Sequence, residues 1–169
     1  SNRPRIALSY NRLQFTVSVC TGIASRTMNA YKLVNFTNRD LYGGDVKEGA
    51  RIDMINDGVE DYRVAYVKLI YHNYEAGKEE FIAGLPAKFQ YLEKLLKASS
   101  GAIIKGKKTY ADYNLFDLLD IHLLLAPSCL DSFPTLKAFH DEIANRPNIK
   151  KYRSTDEWKK RLVNGNGKQ

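Results

Sequence analysis

The chain has 169 residues, 44% of them hydrophobic and 27% charged, which suits one globular domain with a substantial buried core. The net charge of +7 sits almost wholly at one end: residues 1–39 carry six basic side chains and no acid, and the rest holds 20 basic against 19 acidic groups, so the body is no basic platform for nucleic acid. Two cysteines, Cys20 and Cys129, form neither a disulfide framework nor a metal cluster, and no run approaches the ~18 apolar residues of a membrane span.

Residues 1–40 form a basic segment of ambiguous pattern. RIAL and LQFTVSVC favour short strands, yet one or two strands without a partner layer are marginal in water. A poorly structured or short-stranded extension is therefore expected. It shows no signal-peptide pattern, and with low cysteine use this gives a cytoplasmic expectation, against which the sequon Asn35-Phe36-Thr37 is discounted. From Glu48 to about Tyr74, Ile52, Ile55, Val59, Tyr62, Tyr66, Leu69 and Ile70 recur at intervals of three and four, predicting a long helix. Gly58 inside it costs ~1 kcal/mol relative to Ala, which a packing reason such as the close approach of a neighbour would explain. A second helix is expected from about Lys78, with Phe81, Phe89, Leu92 and Leu96 on one stripe, bent or broken at Gly84 and Pro86. SSGAIIKGKK reads as a connection.

Thr109-Tyr110-Ala111-Asp112 is a capping box: Thr109 caps, and the Asp112 carboxylate reaches back while favouring the positive helix end. Behind it runs an almost wholly apolar helix, with Leu115, Phe116, Leu118, Leu119, Ile121 and Leu123 to Leu125, which belongs at the centre of a bundle. Pro127 ends it. Phe133, Leu136, Phe139 and Ile143 mark a fourth helix closed by Arg146-Pro147, and Asn148–Tyr152 and Thr155–Leu162 suggest two short ones. NGNGKQ reads as a flexible tail. The fold class is all-α: five or six helices around residues 113–125, with Ile55, Leu115, Leu118, Leu119, Phe139 and Ile143 in the core.

Tyrosines 62, 66, 71 and 74 cluster at the end of the first long helix, where aromatic side chains ordinarily pack on neighbours with hydroxyls toward solvent. Adjacent Glu60 and Asp61 ordinarily make a solvated face. His72, His122 and His140 share no ligand spacing, and His122 on the apolar helix reads as a satisfied interior residue; no metal site is expected. The scattered glycines make no phosphate loop.

Three stretches carry a resemblance. RIDMINDGVEDYRVAYVKLIYHNYEAG (residues 51–77), TYADYNLFDLLDIHLLLAPSCLDSFPTL from Thr109, and the terminal Asn164-Gly165-Asn166-Gly167-Lys168-Gln169 are very similar to the C-terminal helical domain of pi-class glutathione transferases. The similarity runs from about Leu41 to the C-terminus, which divides the chain into an unmatched segment, 1–40, and a helical domain, 41–169. Lys105-Gly106-Lys107-Lys108 departs from it: Lys108 stands where an apolar staple residue is usual, among mutually repelling lysines.

The resemblance implies conjugation of reduced glutathione to hydrophobic electrophiles, with glutathione as co-substrate and no cofactor. It assigns Tyr71 and Val67 to one wall of the electrophile pocket and Asn164 and Gly165 to its border. Asp61 would reach across a dimer to the amino group of the partner's glutathione, whose ammonium suits a fixed carboxylate. Glu60 is expected to be structural.

No catalytic residue is assigned. The family activates glutathione on a thioredoxin-like domain carrying a first-strand tyrosine, a cis-proline and a Gln-Ser turn, and residues 1–40 match none of these; Tyr10 lies in SYNRLQF, outside that pattern. The expectation is an electrophile-binding half with no turnover of its own. The rival reading is a non-catalytic helical module that modulates others. Expected partners are glutathione, hydrophobic electrophiles and a second subunit, as a homodimer or a mixed dimer with a full-length chain, without nucleic acid or membrane.

Overall fold

The computed structural model describes residues 41–169, and the expectations for short strands, Tyr10, Cys20 and Asn35 lie outside them. Among the described residues there are six helices and no strand beyond an isolated bridge between Ile104 and Lys107. They are α1 (Val46–His72), α2 (Tyr74–Lys97), α3 (Tyr110–Leu125), α4 (Pro134–Ala144), α5 (Pro147–Arg153) and α6 (Asp156–Lys159). None is long and apolar enough to cross a membrane.

Asp45 starts α1 by accepting from the Glu48 N–H at 2.8 Å. The helix buries Ile52, Ile55, Val59, Tyr66, Leu69 and Ile70 along one stripe, the period read from the sequence. Asn73 alone separates α1 from α2: its N–H donates to the Leu69 carbonyl at 3.1 Å, and its carbonyl accepts from the Gly77 N–H at 2.9 Å. A Cβ at Gly77 would lie 2.6 Å from the Asn73 side-chain amide, so glycine lets this turn close.

α2 runs unbroken through Gly84 and Pro86, so the expected break is absent. Leu85, Phe89, Leu92 and Leu96 are all buried on its inner face, and burying several such side chains outweighs one lost hydrogen bond. Among the described residues the close neighbour that would explain Gly58 is also absent, since a Cβ there would meet nothing within 4 Å.

The central helix is α3. Ala111, Leu115, Leu118 and Leu119 are completely buried, and every residue expected in the core is there. At its start the capping box forms: Asp112 Oδ2 accepts from both the N–H and the hydroxyl of Thr109, at 2.7 Å each. Lys108 does not suffer the expected repulsion. Its Nζ reaches Glu142 at 2.8 Å and sits over the Phe139 ring, tying the start of α3 to α4.

The apolar reading of α3 misses a polar stripe, Asn114, Asp117 and Asp120. Arg63 of α1, itself nearly buried, donates to Asp117 Oδ2 at 2.8 Å and to Asn114 Oδ1 at 2.7 Å. Asn114 in turn donates to Glu60 Oε1 at 2.8 Å, which makes Glu60 structural as expected. Glu93 of α2 accepts from the backbone N–H groups of Thr135 and Leu136, at 3.0 and 2.8 Å, and so closes the N-terminus of α4. Burial pushes the Glu93 carboxyl up, but these hydrogen bonds outweigh it and leave it below its ordinary value.

His122 is the satisfied interior residue that its place on α3 suggested. Its Nδ1 lies 2.7 Å from the Leu118 carbonyl, and its ring packs among Tyr66, Phe81 and Phe89. Burial holds its pKa down at about 4, so the imidazole is neutral at physiological pH.

Candidate functional site

The C-terminal tail is held in place, contrary to the flexible end expected for NGNGKQ. Asn164 Nδ2 donates to the Tyr66 hydroxyl at 2.9 Å and to the Lys168 carbonyl at 2.6 Å. The Gly165 N–H donates to the Tyr71 hydroxyl at 3.0 Å, and Asn166 Nδ2 donates to the Ile70 carbonyl at 2.9 Å. Tyr74 donates through its hydroxyl to the Gln169 carbonyl at 2.5 Å, and Lys168 pairs with Glu75 at 2.9 Å. The tyrosine cluster therefore turns three hydroxyls toward the tail, where general packing rules put them toward solvent.

This arrangement brings Gly165 against Tyr71 and Asn164 against Tyr66. Tyr71 is 38% exposed, and its hydroxyl oxygen accepts from Gly165. Val67, one helical turn earlier, is partly buried against the core. A Cβ at Gly165 would lie 3.5 Å from the Tyr71 hydroxyl, so the tail backbone already approaches it to van der Waals contact.

Tyr66 is almost fully buried and accepts from Asn164. Burial raises its pKa, opposed by the hydrogen bond from Asn164, so its phenol stays neutral. Asp61 stands apart, exposed on α1 and away from the tail contacts. A groove of about 620 Å³ between α1 and α2 is lined by Lys68, Leu69, His72, Gly77 and Phe81 among others; it contains none of the five residues singled out from the sequence. Among the described residues, no group of three or more His, Cys, Asp or Glu could hold a metal ion. Cys129 is half-buried, and burial raises its thiol pKa to about 11, far from a reactive thiolate.

A family profile described as "Glutathione S-transferase, C-terminal domain" matches residues 60–156, more than half of the chain. The chain belongs to the glutathione S-transferase family. Its helices form the C-terminal bundle of that family. It is 48% identical over 135 residues to glutathione S-transferase P 1 of Bufo bufo, covering 78% of this chain and 64% of the relative. It is 51% identical over 132 residues to glutathione S-transferase P of Bos taurus, covering 76% of this chain and 63% of that protein. The chain thus spans less than two thirds of these relatives' length. The solved pi-class glutathione S-transferase of Onchocerca volvulus superposes with a TM-score of 0.79 at 41% identity, covering 83% of this chain and 70% of that one. The pi-class resemblance read from the three motifs stands.

What the motifs did not reveal is the charge cluster around the buried Asp120. Asp120, Arg153 and Arg161 were not singled out, because nothing local in DLLDIH, KKYR or KKRL distinguishes a buried carboxylate or arginine from a solvated one. The signal available was Asp120 itself, an acid in the most apolar stretch of the chain.

Proposed function

We propose that this chain supplies the electrophile-binding wall of a glutathione transferase that conjugates reduced glutathione to hydrophobic electrophiles. The observation that carries the reading is the meeting of Tyr71 with Gly165 and the packing of Val67 one turn away, which gives an apolar surface with a phenol at its edge. In this reading the Tyr71 phenol, whose oxygen accepts from Gly165, is the polar group at the edge of the wall. Asp61, exposed on α1, is free of steric cover to reach the ammonium of a glutathione held by a second subunit. Residues 41–169 would then act as the family's helical domain and 1–40 as a separate basic segment, with a homodimer or a mixed dimer as the working assembly in the cytoplasm.

The chemistry divides between two surfaces. The pocket wall orients and desolvates the electrophile, which raises the effective concentration of the reacting partners. The thiol has to be ionised by groups other than those at this wall, because an unperturbed thiol is largely protonated at neutral pH.

Two measurements test the reading. Equilibrium dialysis with dinitrobenzene, an unreactive aryl probe, is expected to show binding that weakens at least fivefold in Tyr71→Ala; unchanged affinity refutes the assigned wall. The purified chain alone is expected to conjugate glutathione to chlorodinitrobenzene no faster than the uncatalysed background. Turnover that disappears in Tyr10→Phe would place thiol activation within this chain and overturn that division.

A further inference from the structure

Asp120 is a carboxylate on the central helix with only 9% of its side chain exposed. Burying a lone carboxylate is costly, and such a group persists only when opposite charges and hydrogen bonds surround it. Here they arrive from three separate places later in the chain. From α4, His140 Nε2 lies 3.2 Å from Oδ1. At the end of α5, Arg153 Nη1 donates to the same oxygen at 2.7 Å. Beyond α6, Arg161 Nη2 stands 3.6 Å from Oδ2.

Rings pack around this cluster. Arg161 lies 3.2 Å and Arg153 5.1 Å from the centroid of Trp158, the chain's sole tryptophan, and His140 stacks on Phe116 at 5.0 Å. Arg161 Nη1 also donates to the Trp158 carbonyl at 3.2 Å. Guanidinium groups suit this work, since they stack on an aromatic face and donate sideways at the same time.

The segment these arginines belong to has little else to hold it. α5 buries only Ile149, and α6 buries no residue at all. Yet the same segment leads directly to Asn164 and Gly165, which meet Tyr66 and Tyr71. Only Leu162 and Val163 separate Arg161 from Asn164, and the three peptide links between them span at most about 11 Å. Where Arg161 is anchored therefore fixes where the tail can land.

We infer that Asp120 is a positioning residue, a buried latch whose hold on Arg153 and Arg161 sets the C-terminal tail against Tyr66 and Tyr71. The latch acts through geometry. An apolar cluster of similar volume could stabilise the bundle as well, but it would not fix two arginines at named oxygens. Insofar as it shapes an electrophile pocket, the inference rests on the function proposed above; as a latch on the tail, it stands independently.

The experiment uses the whole chain and compares Asp120→Asn, Arg161→Met and Arg161→Lys with the parent. Amide exchange followed by NMR is expected to accelerate at least tenfold at Gly165 in Asp120→Asn, with Leu119 on α3 changing less than twofold. Arg161→Met, which keeps an apolar stem over Trp158 and leaves α3 untouched, is expected to do the same; it decides the matter if Asp120→Asn does not fold. Arg161→Lys, which keeps the charge, should recover most of the protection. Dinitrobenzene affinity should fall in step with Gly165 protection.

Equal acceleration at Gly165 and Leu119 would mean that Asp120 merely supports the bundle, and would overturn the inference. So would unchanged exchange at Gly165 in both Asp120→Asn and Arg161→Met. If Gly165 is released but neither these variants nor Tyr71→Ala alters dinitrobenzene affinity, the latch is upheld and the pocket assignment fails.

Discussion

Lowering the pH from 7 to about 5 should weaken the fold through one residue, His122. Its side chain is 99% shielded in effect, with a relative exposure of 1%, and is surrounded by Tyr66, Phe81 and Phe89. Burial is the main cause of its low pKa, the nearby positive charges of Lys88 and Arg63 add to it, and the Leu118 carbonyl opposes it. The folded pKa is about 4 against 6.5 for a free imidazole. Between those values the unfolded chain binds a proton that the folded chain does not, so stability falls as the pH drops through that window and levels off below about 4.

Each pKa unit is worth about 1.4 kcal/mol, so the whole shift amounts to about 3 kcal/mol, of which about 2 kcal/mol is lost by pH 5. The comparison is His122→Phe, which keeps an aromatic ring among the same neighbours and removes the titrating group. Its overpacking and lost Leu118 contact add an offset that does not depend on pH. Other titrations cancel between the two proteins. Asp120 and Glu93 have lowered pKa values, so they lose stability at lower pH, whereas Asp112, raised by burial, works in the opposite direction. Urea unfolding of both proteins at pH 7 and pH 5 is the assay. The parent should lose about 2 kcal/mol more than the variant. Equal losses would refute the reasoning, because they would mean that His122 can take up its proton in the folded state.

Two further substitutions probe the packing. Leu119→Ala should cost about 2–5 kcal/mol in the same unfolding assay, since the side chain is completely buried at the centre of the bundle; a loss below about half a kcal/mol would remove α3 from the core. Gly58→Ala should stabilise the chain by about 0.5–1 kcal/mol, because the position is helical and an added methyl meets nothing within 4 Å. A loss of stability there would show that another surface covers that stretch of α1.

The helices were legible because their causes are local. Apolar residues at intervals of three and four, the Thr109–Asp112 cap and the proline at 127 act over a few residues, and all appear where the sequence placed them. So did the core, since a helix as apolar as α3 has nowhere else to go. The pi-class resemblance likewise came from contiguous motifs. Where local rules misled, a distant partner had overridden them. Pro86 does not break α2, because the inner face of that helix is buried along its length. Lys108 is not repelled, because Glu142 lies opposite, and the tail is not loose, because three tyrosines hold it.

The contacts that set the tertiary arrangement join residues far apart in the chain. Asp120 meets Arg153 across 33 positions, and Tyr71 meets Gly165 across 94. An aspartate in an apolar run and an asparagine in a polar tail look alike locally whether they are buried and bonded or open to water. Which of these holds depends on the packing of α1, α3 and the C-terminal segment around them, since a polar group's energy is set by the partners that replace its water. The sequence by itself determined the helices, their core and the family; the tertiary structure alone decided which charges are buried together and where the tail is held.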